Sequence, residues 1–254
     1  MIVDVNVSLG RWPFQRLAPA TPGRLRHHLA REGIAEAWVS AVESVLHPDP
    51  DVTDEPLARR LRGHDGLHFV KTVNPLLAGA AEGLGRWVEA FGLRAVRLVP
   101  NYHQVSLADD RARAVMRQAR RRRLAVLVQM RIEDERGQYP LMKVPGVPCD
   151  EVVRLARAFP RVPIVALCAY FREAAALAAA PNVHLDLSFM ETLDTLASAL
   201  AAVPARQIVF GSHTPFLCTR SAVLKLTAAD IPARARRAIA AGNAARIFRA
   251  PRRR

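Results

Sequence analysis

Seven residues near the start of the chain, Val3-Asp4-Val5-Asn6-Val7-Ser8-Leu9, alternate between apolar and polar side chains. In a β-strand, side chains two positions apart point to the same face, so Asp4, Asn6 and Ser8 share one face and the apolar residues share the other. An apolar face of this kind packs against helices. We therefore expect the polar face to line the interior of a closed sheet.

Outward from this segment, short strand patterns alternate with longer helical patterns. The strand candidates are Ile2–Leu9, Ala37–Ser44, His68–Val73, Ala95–Val99, Ala125–Arg131, Pro163–Cys168, Val183–Ser188 and Gln207–Gly211. The helix candidates are Arg24–Arg31, Asp54–Leu61, Ala80–Phe91, Asp109–Arg123, Asp150–Phe159, Arg172–Ala180, Leu193–Val203 and Ala233–Phe248. Such alternation implies parallel strands joined by right-handed crossovers.

Two α/β folds contain this alternation, the (β/α)8 TIM barrel and the open doubly wound sheet. Eight strands is the barrel number, and no glycine-rich GxGxxG follows the first strand, as it does in many doubly wound nucleotide-binding sheets. The chain has 254 residues, and one barrel typically needs about 250. We predict a single barrel domain over residues 1–254, with the irregular stretch Glu133–Pro148 lying over its catalytic face.

The formal charge of +14 makes nucleic acid an obvious partner to consider. However, almost all basic residues are arginines, and they are spread over every predicted helix. The dense run Arg120–Arg123 ends a helix, where cations complement the helix dipole. Aromatic residues make up only 6% of the chain, too few for a stacking platform. We expect no nucleic-acid partner, and we expect the terminal Arg252–Arg254 to be solvated.

Membrane and secretory signals are also absent from the sequence pattern. No apolar run reaches the roughly 20 residues that span a bilayer, and residues 1–5 lead directly into a strand pattern without a basic region before it. The widely spaced Cys149, Cys168 and Cys218 form neither a CxxC motif nor a disulfide framework. We expect a cytoplasmic protein with reduced thiols, no membrane partner and a small-molecule substrate.

Two segments resemble the amidohydrolase-related family of metal-dependent hydrolases. The opening Asp4–Gly10 resembles the family's Asp-x-His-x-His strand, and Ile208–Phe216 resembles its Phe-Gly-Ser-Asp-x-Pro-Phe strand. Three further segments, Leu93–Leu98, Pro181–Ser188 and Gly242–Phe248, match in the family's order. The resemblance implies the barrel fold for the whole chain, and it implies a homo-oligomer.

The same resemblance implies a metal centre whose ligand positions are mostly replaced here. The two histidines of the family's first strand correspond to Asn6 and Ser8, a histidine of the fifth strand to Gln129, and one of the sixth to Cys168 or Ala169. The aspartate of the eighth strand corresponds to His213. Because amide and hydroxyl oxygens bind transition metals poorly, we predict no cofactor, with zinc or manganese as the less favoured alternative.

Barrel active sites lie at the carboxyl ends of the strands, so polar residues there are the site candidates. His213 is a general acid or base candidate at neutral pH, with Asn6 and Gln129 placed to polarise a carbonyl. The predicted catalytic residues are His213, Glu133, Gln129 and Asn6. The predicted substrate-binding residues are Arg131, Arg97, Arg11, Ser8 and His103, because arginine pairs well with a substrate carboxylate.

These residues leave several functions open. The first is metal-independent hydrolysis of a small carboxylate-bearing ester, lactone or amide, with His213 as the base. Because the family includes decarboxylases, a non-hydrolytic decarboxylase or related lyase is an alternative. Another is a catalytically eroded accessory subunit that pairs with an intact relative. The last is a metal hydrolase with an unusual ligand set of His213, Cys168 and Glu133.

Overall fold

The computed structural model describes residues 1–249, and parallel strands lie at its centre. The strands are β1 (Ile2–Leu9), β2 (Ile34–Ala41), β3 (Leu67–Phe69), β4 (Lys71–Val73), β5 (Ala95–Leu98), β6 (Ala125–Gln129), β7 (Ile164–Leu167), β8 (Val183–Asp186) and β9 (Ile208–Val209). Each pairs in parallel with the next in the orders β1-β2-β3 and β4-β5-β6-β7-β8-β9. The predicted parallel α/β architecture is confirmed.

Helices follow the strands and cover the outside of the sheet. They are α1 (Pro22–Arg31), α2 (Asp51–Leu61), α3 (Leu84–Phe91), α4 (Asp110–Arg122), α5 (Cys149–Ala158), α6 (Ala174–Ala178), α7 (Thr195–Ala202), α8 (Thr219–Thr227), α9 (Ala233–Arg237) and α10 (Asn243–Ile247). Capping agrees with the local sequence: the Thr21 hydroxyl accepts from Arg24 N at the start of α1, and Asp109 accepts from Arg111 N at the start of α4.

Backbone hydrogen bonds join the two ends of the strand order. Val5 N donates to Phe210 O at 3.0 Å, and Ser8 N donates to Thr214 O at 2.7 Å. At the gap between β3 and β4, Val70 N donates to Val39 O at 2.9 Å. The sheet therefore continues around the ring, and β3 with β4 occupies one of the eight barrel positions, in agreement with a (β/α)8 barrel.

The sequence prediction differs from the structure in several segments. The predicted third strand is divided at Val70, and the second strand ends at Ala41. Helix α3 begins at Leu84 because a turn closed by Gly83 N and Gly79 O precedes it. Helix α8 is not among the predicted helices, and its first turn is mostly polar.

The predicted helix Ala233–Phe248 is present as a continuous helical segment over residues 233–247. Its middle turn, Ala238–Gly242, is a wide π-turn that lies between α9 and α10. Within this turn, Ile239 O accepts a hydrogen bond from Phe210 N at 3.1 Å, so the helix backbone bonds to the end of β9. The amide of Asn243 then donates to Ala205 O and Ile208 O at 2.7 and 2.6 Å. These contacts fix the last helices against the strand that carries His213.

No helix among residues 1–249 is long and apolar enough to cross a membrane. The single-domain prediction over residues 1–254 and the prediction for Arg252–Arg254 extend beyond this range, and residues 250–254 lie outside the described part of the chain.

Replacing Asn243 with alanine tests the attachment of the closing helices. The side chain is 1% exposed, and the substitution removes the amide donor from the buried Ile208 carbonyl and one of the two donors from the part-buried Ala205 carbonyl. We expect the free energy of unfolding to fall by about 2 kcal/mol, measured by urea denaturation. Gln15, whose amide is exposed, is the control. Gln15→Ala should change the free energy of unfolding by less than about 0.5 kcal/mol. Equal effects of the two substitutions would contradict this role of Asn243.

Candidate active site

A cleft of about 750 Å³ lies at the carboxyl ends of β6 to β9, where barrel active sites are found. Its lining includes Glu133 after β6, Tyr170 after β7, Phe189 after β8 and Phe216 after β9. The walls therefore combine aromatic rings with charged side chains, which include the half-buried carboxylates Glu133 and Asp134 as well as Glu135, Glu191, Arg136 and Arg172. This composition suits a flat ring that carries polar or charged groups.

Glu133 is the predicted catalytic residue that faces the cleft. Among residues 1–249 its carboxylate forms no ion pair. Burial raises the pKa of Glu133, and the nearby Trp12 indole opposes this shift. A carboxyl group in this setting is a general acid or base candidate.

Below the cleft floor, the side chain of Asn6 joins three strands. Its amide nitrogen donates to Asp186 Oδ2 at 2.7 Å and to Cys168 Sγ at 3.2 Å. Ser188 Oγ also donates to Asp186, at 2.9 Å. Asn6 therefore lies in the barrel interior, which confirms that the polar face of β1 points inward.

His213 is fully buried beneath the floor and is absent from the cleft lining. Its ring stacks on Phe216 with centroids 4.8 Å apart, and Phe189 packs on its edge at 5.8 Å. The Nε2 atom lies 2.7 Å from the Ile132 carbonyl, which can only accept, so Nε2 carries the proton. Burial lowers the pKa of His213 to about 4, so the ring is neutral at pH 7.

The remaining ring nitrogen determines what His213 can do. Its Nδ1 lies 3.4 Å from Asn6 Oδ1, and both atoms are acceptors when the ring is neutral. The amide cannot simply turn over, because Asp186 and Cys168 occupy its donor side. The basic nitrogen therefore faces a buried amide and not the cleft, a geometry that gives the predicted base no access to a substrate bound there.

Two buried carboxylates, Asp4 and Asp186, were not among the predicted site residues. Asp186 Oδ1 accepts from Cys168 N at 2.8 Å, and Asp4 Oδ1 accepts from Ser212 N at 3.0 Å. Asp4 Oδ2 has no hydrogen-bond partner. Burial raises the pKa of Asp4 to about 7 and that of Asp186 to about 6. The alternation of side chains along their strands could have identified both residues, since both point to the face that holds Asn6.

The position of Gln129, Arg131 and Glu133 on one face of the strand predicted that all three line the cleft. Gln129 and Arg131 do not. Gln129 Nε2 donates to Cys168 Sγ at 3.1 Å and to Arg131 O at 2.7 Å. The Arg131 guanidinium forms a bidentate pair with Glu173 at 2.6 and 2.9 Å. The predicted substrate-binding cation is thus 3% exposed and already paired within the chain.

Arg97 and His103 lie in the other half of the barrel. Arg97 is 1% exposed and donates to Thr72 Oγ1 and Ala41 O at 2.9 and 2.7 Å. His103 Nε2 lies 3.2 Å from Ser44 O, and burial lowers the pKa of His103 to about 4. Neither side chain borders the cleft at the ends of β6 to β9.

The last two predicted substrate-binding residues also lie away from the cleft. Ser8 Oγ is buried and faces Ser40 Oγ at 3.4 Å. Arg11 is exposed, and its backbone nitrogen donates to Glu43 Oε1 at 2.8 Å. Of the predicted catalytic residues, Asn6, Gln129 and His213 therefore lie together in the interior, and only Glu133 lines the cleft.

The interior side chains do not fit the metal centre that the family resemblance implies. Asn6 and Gln129 present amide nitrogens to Cys168, and His213 uses Nε2 for the Ile132 carbonyl. Burial raises the pKa of the Cys168 thiol, which disfavours the thiolate that a metal requires. Among residues 1–249, no group of three or more His, Cys, Asp or Glu residues is placed to hold an ion.

The buried Asp4 predicts a specific pH dependence of stability. Folded Asp4 holds its proton up to about pH 7, whereas the unfolded residue has the ordinary pKa of 3.8, so its contribution to stability is lost as pH rises between these values. Removing the carboxylate abolishes this loss. The unfolding free energy of Asp4→Asn relative to the wild type should increase by about 2 to 3 kcal/mol from pH 5 to pH 8.

Urea denaturation at both pH values measures this change. Asp150→Asn is the control, because Asp150 is 63% exposed, and its difference from the wild type should not vary with pH. A pH-independent difference for Asp4→Asn would contradict a protonated Asp4 in the folded protein.

Several solved structures resemble this fold over almost its whole length. They include 5-carboxyvanillate decarboxylase from Sphingomonas paucimobilis (TM-score 0.75, 16% identity, 98% of this chain and 99% of that chain). Another is 2,6-dihydroxybenzoate decarboxylase from Rhizobium (0.74, 16%, 97% and 98%). A third is dihydroxybenzoic acid decarboxylase from Polaromonas sp. JS666 with bound manganese and 2-nitroresorcinol (0.77, 15%, 97% and 96%).

At these identities the likeness shows the fold alone. No curated protein matches the chain. The sequence profile of the amidohydrolase family matches residues 16–250, which is most of the chain and leaves out β1. This chain therefore belongs to the amidohydrolase family.

Proposed function

We propose that this chain is a decarboxylase-type lyase that removes carbon dioxide from a small aromatic carboxylic acid without a metal ion. The observation that carries the proposal is Glu133, a half-buried carboxyl group with a raised pKa and no ion pair among residues 1–249, in a cleft walled by aromatic rings. Such a group can hold a proton and deliver it to a ring bound beside it.

The similar solved structures favour this reaction over hydrolysis. Each of the three is named as a decarboxylase of an aromatic acid. Manganese is bound in the Polaromonas structure, whereas the barrel interior of this chain holds amides, a thiol and a neutral imidazole that bond to one another and to the backbone. The proposal therefore assigns the proton transfer to Glu133.

In this reaction, the Glu133 carboxyl protonates the ring carbon that bears the carboxylate. The bond between that carbon and the carboxylate then breaks, its electron pair restores the aromatic ring, and carbon dioxide leaves. Water returns a proton to Glu133. Hydroxyl groups on the ring assist because they make the carbon easier to protonate. The apolar Phe189 and Ile132, which line the same cleft, disfavour the charged carboxylate of the bound substrate.

The buried His213 has a positioning role in this proposal. It supports the cleft floor through the Phe216 stack and the bond to Ile132 O, next to Glu133 in the chain.

Metal-independent hydrolysis, the first prediction, would use the same cleft with Glu133 as the base that activates water. Its product retains the carboxylate carbon, so product analysis separates the two reactions.

One observation favours a second candidate, the non-catalytic accessory subunit. Asn6, Gln129 and Cys168 bond mainly to one another, and the floor residues close them off from the cleft. A barrel that had lost its chemistry could keep such a self-satisfied interior. This candidate requires ligand binding or subunit pairing without turnover.

Glu133→Gln tests the proposed role directly. Glutamine keeps the shape but holds no transferable proton, so carbon dioxide release from an active hydroxybenzoate should fall by about 100-fold or more. The measurement is carbon dioxide evolution with chromatography of the ring product, over a panel of mono- and dihydroxybenzoates. Glu135→Gln is the matched control, an exposed residue of the same cleft, and should retain most activity.

Full activity of Glu133→Gln would contradict the proposal. With the methyl esters and amides of the same acids as substrates, release of methanol or ammonia without carbon dioxide would favour hydrolysis. Binding without any product from the wild type would favour the accessory subunit.

A further inference from the structure

The wall of the cleft after β7 is built on a fixed arginine–tyrosine contact. The Arg131 guanidinium carbon lies 3.8 Å from the centroid of the Tyr170 ring. Glu173 pairs with Arg131 and also accepts from Tyr170 N at 2.9 Å. The Tyr170 hydroxyl donates to Asp134 at 3.2 Å. Ring, backbone and hydroxyl of Tyr170 are thus all held in place.

A second arginine, Arg172, contacts the same ring and faces the cleft. Its guanidinium carbon lies 4.7 Å from the Tyr170 centroid. Among residues 1–249, its side chain makes no ion pair and no hydrogen bond, so its donors are free for a ligand. Contact with a fixed aromatic ring restricts the long side chain, which lowers the entropy lost when it binds an anion.

Arg136, the other arginine that lines the cleft, and two neighbouring cations are already paired. Arg136 lines the cleft but bonds to Asp134 at 2.8 and 3.1 Å, and Lys225 lies 3.4 Å from Glu191. Arg131 is paired with Glu173. Within the described part of the chain, Arg172 is therefore the cleft-lining cation that an anionic ligand can use without breaking an ion pair.

A decarboxylase gains little from pairing this cation with the carboxylate that leaves. Such a pair stabilises the charged ground state, and its strength falls as the carboxylate becomes neutral carbon dioxide. An arginine therefore contributes most by binding a charge that the reaction retains. The leaving carboxylate is better placed against the apolar part of the cleft lining, which includes Ile132 and Phe189.

We propose that Arg172 binds a second, non-reacting anionic group, so that the substrate is an aromatic acid with two acidic groups. This inference rests on the proposed function, because a decarboxylase removes one acidic group of its substrate and retains the other. Arg172 supplies a two-pronged donor to the retained group, and the Tyr170 contact sets its direction.

Calorimetric titration with isophthalate and benzoate tests this subsite. The two probes differ by one carboxylate, and neither has the ring hydroxyl that assists protonation, so binding is measured apart from turnover. We expect the wild type to bind isophthalate about fivefold or more tightly than benzoate at low ionic strength, a modest ratio because Arg172 is exposed. Added salt should reduce the difference.

Arg172→Gln should bring the isophthalate affinity down to that of benzoate and leave benzoate binding unchanged. Arg136→Gln is the matched control, an arginine of the same cleft that is already paired, and should keep the preference. Equal binding of the two probes by the wild type, a preference that survives Arg172→Gln, or binding of neither probe would overturn the inference.

The outcomes for the subsite and for the reaction are separable. An Arg172-dependent preference together with no carbon dioxide release from any acid would leave the anion subsite in place and reject the decarboxylase. Carbon dioxide release that depends on Glu133, without an Arg172-dependent preference, would reject the subsite alone.

Discussion

The Asn6 side chain is the constraint on which the barrel centre depends. It uses both amide hydrogens inside the protein, on Asp186 Oδ2 and Cys168 Sγ, and its oxygen faces His213. A buried amide left without these partners would cost about 1 to 3 kcal/mol, so the three strand ends are held in one arrangement. This arrangement occupies the space in which the family resemblance places a metal ion.

Two residues of the centre adopt backbone conformations that are uncommon outside glycine. Cys168 and His213 have φ angles of 60° and 56°, and both follow the ends of short strands. Contacts compensate for this strain: Cys168 N bonds to Asp186, and His213 bonds to Ile132 O and stacks on Phe216. Since these contacts turn the imidazole away from the cleft, we assign the proposed proton transfer to a residue of the loop above, Glu133.

The sequence predicted the barrel because its main signals are local. The alternation in β1 placed Asn6 inward, and the order of strands and helices gave the parallel topology. The site was predicted less well because its contacts join distant residues. Nothing in the run after β6 indicates that Arg131 pairs with Glu173, 42 residues later, or that Arg172 contacts the ring of Tyr170. The orientation of His213 depends on a positive φ angle and on Ile132, neither of which a sequence pattern specifies.

We propose that a hydrogen-bonded network of side chains replaces, in this family member, the metal centre that the family resemblance implies. The most direct test is elemental mass spectrometry of the folded protein, produced with added manganese and zinc and purified without chelators. The account predicts metal far below one ion per chain, with catalytic activity in the same preparation. Near-stoichiometric metal would contradict it, and would return His213, Cys168 and Glu133 to consideration as ligands.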